Sequence, residues 1–224
     1  MTDLRSLNIP AIYGVGLNYT AHAAEVSRPE PEFPMIFMKP PSSVTLEEDA
    51  PIILPRALRS DKVDYEGELC VVIGERCKNV PEEEALSVIG SYTLAMDISA
   101  RDWQFEWGGS QFCRGKSFDG FCPVGPVLLP GSEISDPQAL TISTRLNGET
   151  MQHSRTEMLF SVARIISFLS GSTTLEPGTL ILTGTPSGVG QQQTPPRFLK
   201  AGDLLEVEIP EIGTLTRRVV EEVL

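Results

Sequence analysis

No hydrophobic run in the sequence approaches the ~20 apolar residues of a membrane span, which argues against a transmembrane helix. Four cysteines, Cys70, Cys77, Cys113 and Cys122, form no C-x-x-C pair and have no histidine at zinc-finger spacing. A redox dithiol and a zinc finger are therefore unsupported. Residues 1–10 are short and polar rather than an apolar leader, so a cytoplasmic protein with free thiols is expected. Basic charge is in deficit, with 18 Lys and Arg against 30 Asp and Glu for a net charge of -12. Such a chain repels nucleic acid and anionic membranes at long range, and neither is expected as a partner. Histidine is scarce too: His22 and His153 are the two in the chain, which shortens the search for a general base.

What is present reads as an ordinary globular composition, 41% hydrophobic and 21% charged. At 224 residues the chain is expected to form one domain with a substantial core. Its 18 prolines and 19 glycines are spread along the whole length, the mark of many short strands joined by turns. Strands are predicted over 12–17, 35–38, 69–74 (reaching back through Tyr65), 91–98, 180–183, 204–209 and 214–220. Asn147-Gly148 between two alternating runs predicts a hairpin over 141–152. A turn or two of helix is predicted over 20–26 and a helix over 81–89, the latter with Pro81 at its start and Glu82, Glu83 and Glu84 in its first turn. The apolar stripe Met158, Leu159, Val162, Ile165, Ile166, Leu169 predicts one long helix over 154–169. The fold class is mainly β with a few helices (α+β). It lacks the strand–helix alternation that dinucleotide binding would require.

One segment stands out chemically, Asp64-Tyr65-Glu66-Gly67-Glu68. On a strand, residues two apart share a face, so Glu66 and Glu68 project together, with Asp64 behind them. Asp97 ends the next apolar strand. Three carboxylates without His or Cys form a hard, all-oxygen set suited to Mg²⁺, Mn²⁺ or Ca²⁺ rather than zinc. The plainer alternative is that Glu66 and Glu68 line the solvent face of an edge strand. His22 and Glu25 stand three apart, on one face of a helical turn, where the carboxylate can orient the imidazole as a base. A simple surface pair has the same spacing. The run 183–190 is glycine-rich but lacks the G-K-[ST] ending of a phosphate loop. It reads as a turn presenting Thr185 and backbone N–H groups to a carboxylate.

Four stretches in order, D-Y-E-G-E-L at 64–69, M-D-I-S-A-R-D-W-Q at 96–104, R-G-K-S-F-D at 114–119 and L-T-G-T-P-S-G-V-G at 182–190, resemble the fumarylacetoacetate hydrolase family. The resemblance spans nearly the whole chain, from residue 14 to the last strands. It implies a mixed β-roll, a homodimer, and Mg²⁺ or Mn²⁺ held by Glu66, Glu68 and Asp97. It further implies His22 and Glu25 on a mobile lid, Lys116 as a stabiliser of negative charge, and Lys39, Gln104 and Thr185 near a small keto-acid substrate. Arg101 is explained equally well by a salt bridge, and His153 matches no motif and reads as surface. Trp103, Phe105, Trp107 and Phe112 depart from the family, where polar residues are common; they shape a less polar pocket or an interface.

Such enzymes cleave C–C bonds in diketo acids, decarboxylate oxaloacetate, or isomerise keto–enol diacids. Because the His22–Glu25 pair supplies a base for water, the expected activity is metal-dependent hydrolysis of an acylpyruvate- or fumarylpyruvate-like β-diketo acid. Oxaloacetate decarboxylation comes second and a keto–enol isomerase or tautomerase third. A non-catalytic metal-bound scaffold is the reading from another class, and retention of His22, Glu25 and Lys116 together argues against it.

Overall fold

Residues 4–224 are described by a computed structural model; residues 1–3 of the polar opening lie outside them. In the first half run β1 (Ile12–Gly16), β2 (Met35–Lys39), β3 (Val44–Thr45), β4 (Ile52–Leu54), β5 (Val63–Asp64), β6 (Gly67–Ile73) and β7 (Ile89–Met96). The second half adds β8 (Ser99–Ala100), β9 (Cys122–Pro130), β10 (Thr141–Leu146), β11 (Glu149–Arg155), β12 (Leu180–Leu182), β13 (Leu204–Ile209) and β14 (Gly213–Glu221). Among the described residues three short α-helices, α1 (Thr20–Glu25), α2 (Phe112–Gly115) and α3 (Val162–Ser170), complete the mainly β architecture. A seven-stranded sheet in the order β2-β1-β12-β6-β7-β9-β3 faces a five-stranded sheet in the order β11-β10-β13-β14-β4.

The apolar runs dictate which strands are central. All seven residues of β6 are buried, so that strand has protein on both faces. β13 alternates instead: Leu205, Val207 and Ile209 point into the shared core, while Glu206 and Glu208 pair with Arg145 on the outer face. Gly67 sits where the two sheets approach. A Cβ there would fall 2.2 Å from Thr144 Oγ1, so only glycine lets Thr144 and Val207 pack against the strand between Glu66 and Glu68. The hairpin turns at Asn147-Gly148 as predicted, both residues taking positive φ.

Two expected elements differ. The long helix over 154–169 is confined to α3. Its first third finishes β11 and then turns, because the N–H groups of Leu159 and Phe160 donate to the Asn18 carbonyl and Oδ1 at 2.9 and 2.8 Å instead of to carbonyls of a preceding turn. The helix begins only at Ser161, whose hydroxyl caps Arg164 N–H at 3.1 Å. The second difference is Tyr65 and Glu66, which precede β6 rather than belonging to it. The helix predicted over 81–89 forms as a 3₁₀ segment, Glu82–Val88.

Candidate active site

The antiparallel register of β6 and β7 brings the carboxylates together. Gly67 faces Met96 and Glu68 faces Ala95, and one step beyond, Asp97 N–H donates to the Glu66 carbonyl at 2.8 Å. Glu66, Glu68 and Asp97 are all buried, and each offers an oxygen within 4.8 Å of the others. The solvent-face alternative is thereby excluded for Glu66 and Glu68.

Three cations are packed against this cluster. Lys39 Nζ donates to Asp97 Oδ1 at 2.6 Å. Lys116 Nζ reaches Asp97 Oδ2 at 2.6 Å, Glu66 Oε2 at 2.9 Å and Ser99 Oγ at 2.7 Å. Arg101 holds Asp64 through Nε at 2.8 Å and Glu66 Oε1 through Nη2 at 2.7 Å. Burial by itself would raise the Glu66 carboxyl, but Lys116 and then Arg101 outweigh it and hold the group well below the usual carboxylate range. Glu68 forms no salt bridge with any of these cations. Burial, then Asp97 and Glu66, push its carboxyl well above the ordinary value, against the nearby Lys116 charge and a hydrogen bond from Gly184 N–H at 2.6 Å.

That imbalance bears on whether a metal ion fits. Asp64, Glu66, Glu68 and Asp97 outnumber Lys39, Arg101 and Lys116, and the surplus falls on Glu68, at the heart of the triad. A divalent ion against these oxygens would supply the missing charge, and the donor set is all-oxygen. The residues present therefore fit Mg²⁺ or Mn²⁺.

Opposite the triad lies α1. His22 Nδ1 is 3.0 Å from Glu25 Oε2, and the other Glu25 oxygen accepts Gly188 N–H at 2.8 Å. His22 is 8% exposed and Ala23 1%, so this helix is docked, closed over the site. His153 lies within the hairpin, exposed, with Nδ1 2.9 Å from Ser143 Oγ; it takes no part.

A single cavity of about 210 Å³ joins these groups. It is lined by His22, Glu66, Glu68, Arg101, Gln104, Lys116 and Thr185 among others, whereas Glu25, Lys39 and Asp97 act on it through those neighbours. Lys39 was expected near substrate; its side chain is fully buried and secures Asp97 instead. The loop at 183–190 was expected to present backbone N–H groups to a ligand. Those of Gly184, Gly188 and Gly190 are given to Glu68, Glu25 and Asp64. The Thr185 hydroxyl donates to the Gly67 carbonyl at 3.0 Å and accepts from Gln152 Nε2 at 2.8 Å. Gln104 accepts from Arg101 Nη1 at 2.9 Å. Phe37, Phe105 and Phe112 form an aromatic wall, with centroids 6.0 and 5.9 Å apart along the row. Trp103 and Trp107 stack edge to face outside it.

Sequence reasoning overlooked Gln152 and Arg28. Gln152 binds Gly67 N–H, Thr185 and the Pro186 carbonyl, yet in the sequence it is one polar residue of an alternating strand. Arg28 lines the cavity from beyond α1, and its position there depends on a turn that no motif announces.

The fold and the site define a β-roll whose cavity sets an imidazole–carboxylate pair against three buried carboxylates able to hold a divalent ion. The chain belongs to the fumarylacetoacetate hydrolase family of enzymes: the family model "Fumarylacetoacetate (FAA) hydrolase C-terminal" matches residues 11–220. It is similar to "Oxaloacetate tautomerase fahd2, mitochondrial" of Xenopus laevis, 45% identical over 95% of this chain and 66% of that one. The chain thus spans about two thirds of the length of that relative. Among solved structures, 5-carboxymethyl-2-hydroxymuconate delta-isomerase from Mycobacterium smegmatis superposes with a TM-score of 0.84 at 39% identity, covering 97% of this chain and 81% of that one. Fumarylpyruvate hydrolase from Pseudomonas aeruginosa, in complex with Mn²⁺ and pyruvate, gives 0.85 at 34% identity, covering 96% and 91%. Among the described residues no helix is long and apolar enough to cross a membrane.

Proposed function

We propose that residues 11–220 form a divalent-metal-dependent keto–enol tautomerase of 2-oxo diacids of the oxaloacetate kind. Glu66, Glu68 and Asp97 hold the ion, and His22 with Glu25 moves the proton. The observation that carries the reading is the oriented His22–Glu25 pair closing a small cavity over the carboxylate triad.

Glu66, Glu68 and Asp97 would hold Mg²⁺ or Mn²⁺, which would supply Lewis-acid chemistry at the substrate carbonyl. His22 uses the ring nitrogen that does not face Glu25 to take a proton from the carbon beside the carbonyl, and Glu25 steadies the resulting imidazolium. The same imidazolium returns the proton to the enol oxygen, so the net change is one proton moved from carbon to oxygen, or the reverse. Lys116 places positive charge where the oxygen gains electrons. Gln104 and Thr185 shape the substrate's seat, and Lys39 keeps Asp97 aimed. Tautomerisation needs no water in the cavity, which suits a closed α1. The resemblance to oxaloacetate tautomerases supports placing proton transfer ahead of the hydrolysis favoured by sequence.

C–C hydrolysis of an acylpyruvate is the second reading. The wall of Phe37, Phe105 and Phe112 favours it, since an apolar acyl group would pack there and the same base would activate water. A homodimer belongs to this proposal as well, and sedimentation of the purified chain tests it. The activity itself is tested by following loss of enol-oxaloacetate absorbance alongside acetylpyruvate cleavage, with and without added Mg²⁺ or Mn²⁺. Metal-dependent ketonisation faster than cleavage supports the tautomerase; the opposite ratio supports the hydrolase.

A further inference from the structure

α1 ends in a tight left-handed turn. Ser27 takes a φ of 53°, its N–H bonds the Ala24 carbonyl at 3.0 Å, and Arg28 N–H bonds the Ala23 carbonyl at 3.0 Å. The backbone of Arg28 is thus fixed directly after the helix that carries His22, and its side chain is exposed and lines the cavity. Of the cavity's Lys and Arg side chains, Lys116 and Arg101 are committed to Glu66, Asp97 and Asp64. Arg28 has no carboxylate partner among the described residues, although the chain carries 30 acidic residues against 18 basic ones. The carboxylates that line the cavity are Glu66 and Glu68, both buried within the triad. Arg28 shares the lining with the amides of Gln191 and Gln192.

An uncommitted guanidinium at a cavity in a strongly acidic protein suits an anionic group of the ligand, because a planar fork of donors matches a carboxylate with two parallel bonds. We propose that Arg28 reads the second carboxylate of the substrate, so that the cavity selects 2-oxo diacids over 2-oxo acids whose far end is uncharged. The inference depends on the tautomerase reading for its reaction, but not for its recognition chemistry. It also opposes the aromatic wall: the wall favours an apolar far end, Arg28 an anionic one.

The test compares oxaloacetate with acetylpyruvate on the unaltered, metal-loaded protein and on Arg28→Gln and Arg28→Lys. In Arg28→Gln, the ratio of kcat/KM for the diacid to that for the uncharged-end substrate should fall about tenfold, the usual scale of a charge-assisted bond. The loss should lie in KM, and Arg28→Lys should recover part of it. An unchanged ratio, or an equal loss for both substrates, would mean that Arg28 merely finishes α1 and would overturn the proposal. Should oxaloacetate not be turned over at all, calorimetric binding of malate against lactate still decides the matter. Weaker malate binding in Arg28→Gln, with the malate-to-lactate affinity ratio falling about tenfold, supports Arg28 as the reader; a constant ratio rejects it.

Discussion

The backbone N–H of Gly188 donates to Glu25 at 2.8 Å, on the oxygen opposite the one that meets His22. Four residues earlier in the same loop, Gly184 N–H holds Glu68, and two residues later Gly190 N–H holds Asp64. One loop thus holds the His22–Glu25 pair on one side of the cavity and the carboxylates on the other, so their separation is set by backbone rather than by flexible side chains. Gly188 carries a φ of 105°, and a Cβ there would fall 2.0 Å from the Met151 carbonyl oxygen. A side chain at position 188 would displace the loop.

Removing the base should separate chemistry from metal binding. His22→Ala is expected to slow turnover by roughly 10²–10⁴-fold while leaving Mn²⁺ affinity near that of the unaltered protein. Glu25→Gln should give a smaller loss in kcat, since the imidazole keeps a partner but not a countercharge. Full activity in His22→Ala, measured with saturating metal, would remove His22 from the mechanism.

The Lys39–Asp97 contact predicts a stability effect distinct from its effect on metal binding. Both side chains are fully buried at 2.6 Å, so Asp97→Asn leaves a buried ammonium without its countercharge and should cost about 3 kcal/mol. Pairing it with Lys39→Met should restore part of the melting temperature without restoring the stabilisation by added Mn²⁺. If Mn²⁺ still raised the melting temperature of the double variant as it does the unaltered protein, Asp97 would not be a ligand.

Protonation of Glu68 gives a pH dependence. Its folded carboxyl lies well above the ordinary 4.5, so the metal-free folded chain holds a proton that the unfolded chain sheds. Stability from this group is therefore present at low pH and is lost as pH rises from 4.5 through the raised value. Glu66 works the other way: its lowered carboxyl stabilises above 4.5, and that contribution disappears only as pH falls through its folded value. In the proposed metal site Glu68 would bind as a carboxylate, and the ion would expel its proton. Titration calorimetry of Mn²⁺ at about pH 5.5, in buffers of different ionisation enthalpy, should give heats that change with buffer. Buffer-independent heats would contradict a protonated Glu68.

Thiol reactivity should follow burial. Cys70 and Cys122 are fully buried, and burial pushes the Cys122 thiol up to about 12. Cys113 is exposed. Brief alkylation of the native protein near neutral pH, followed by peptide mapping, should therefore label Cys113 and spare the other two. Labelling of Cys122 at a similar rate would show that this part of the core opens.

How much of this was legible depended on whether a signal was local. Strand alternation placed Glu66 and Glu68 on one face and Asp97 at a strand end, but left the solvent-face reading open, and only the family resemblance joined the three as one set. The His22–Glu25 pair was legible as an i,i+3 contact, and the 147–148 hairpin as a dipeptide. The overlong helix over 154–169 shows the opposite case. Met158 and Leu159 fit the helical stripe, but Asn18, 142 positions from Phe160, takes the N–H groups that a helix would need. Lys39 was placed near the substrate by resemblance, and only the packing of β2 beside Asp97 shows it sealed away from the cavity. Gln152 and Arg28 depend on tertiary placement entirely.

The central claim is that His22 moves a proton at the carbon beside the keto group of a 2-oxo diacid held above Glu66, Glu68 and Asp97. Deuterium incorporation at that carbon of oxaloacetate, followed by proton NMR in heavy water, measures it without reference to any later bond cleavage. Metal-loaded protein should accelerate the exchange, and His22→Ala with the metal still bound should lose the acceleration. Exchange no faster than with free Mg²⁺ or Mn²⁺, or equally fast in the His22→Ala variant, would contradict the account.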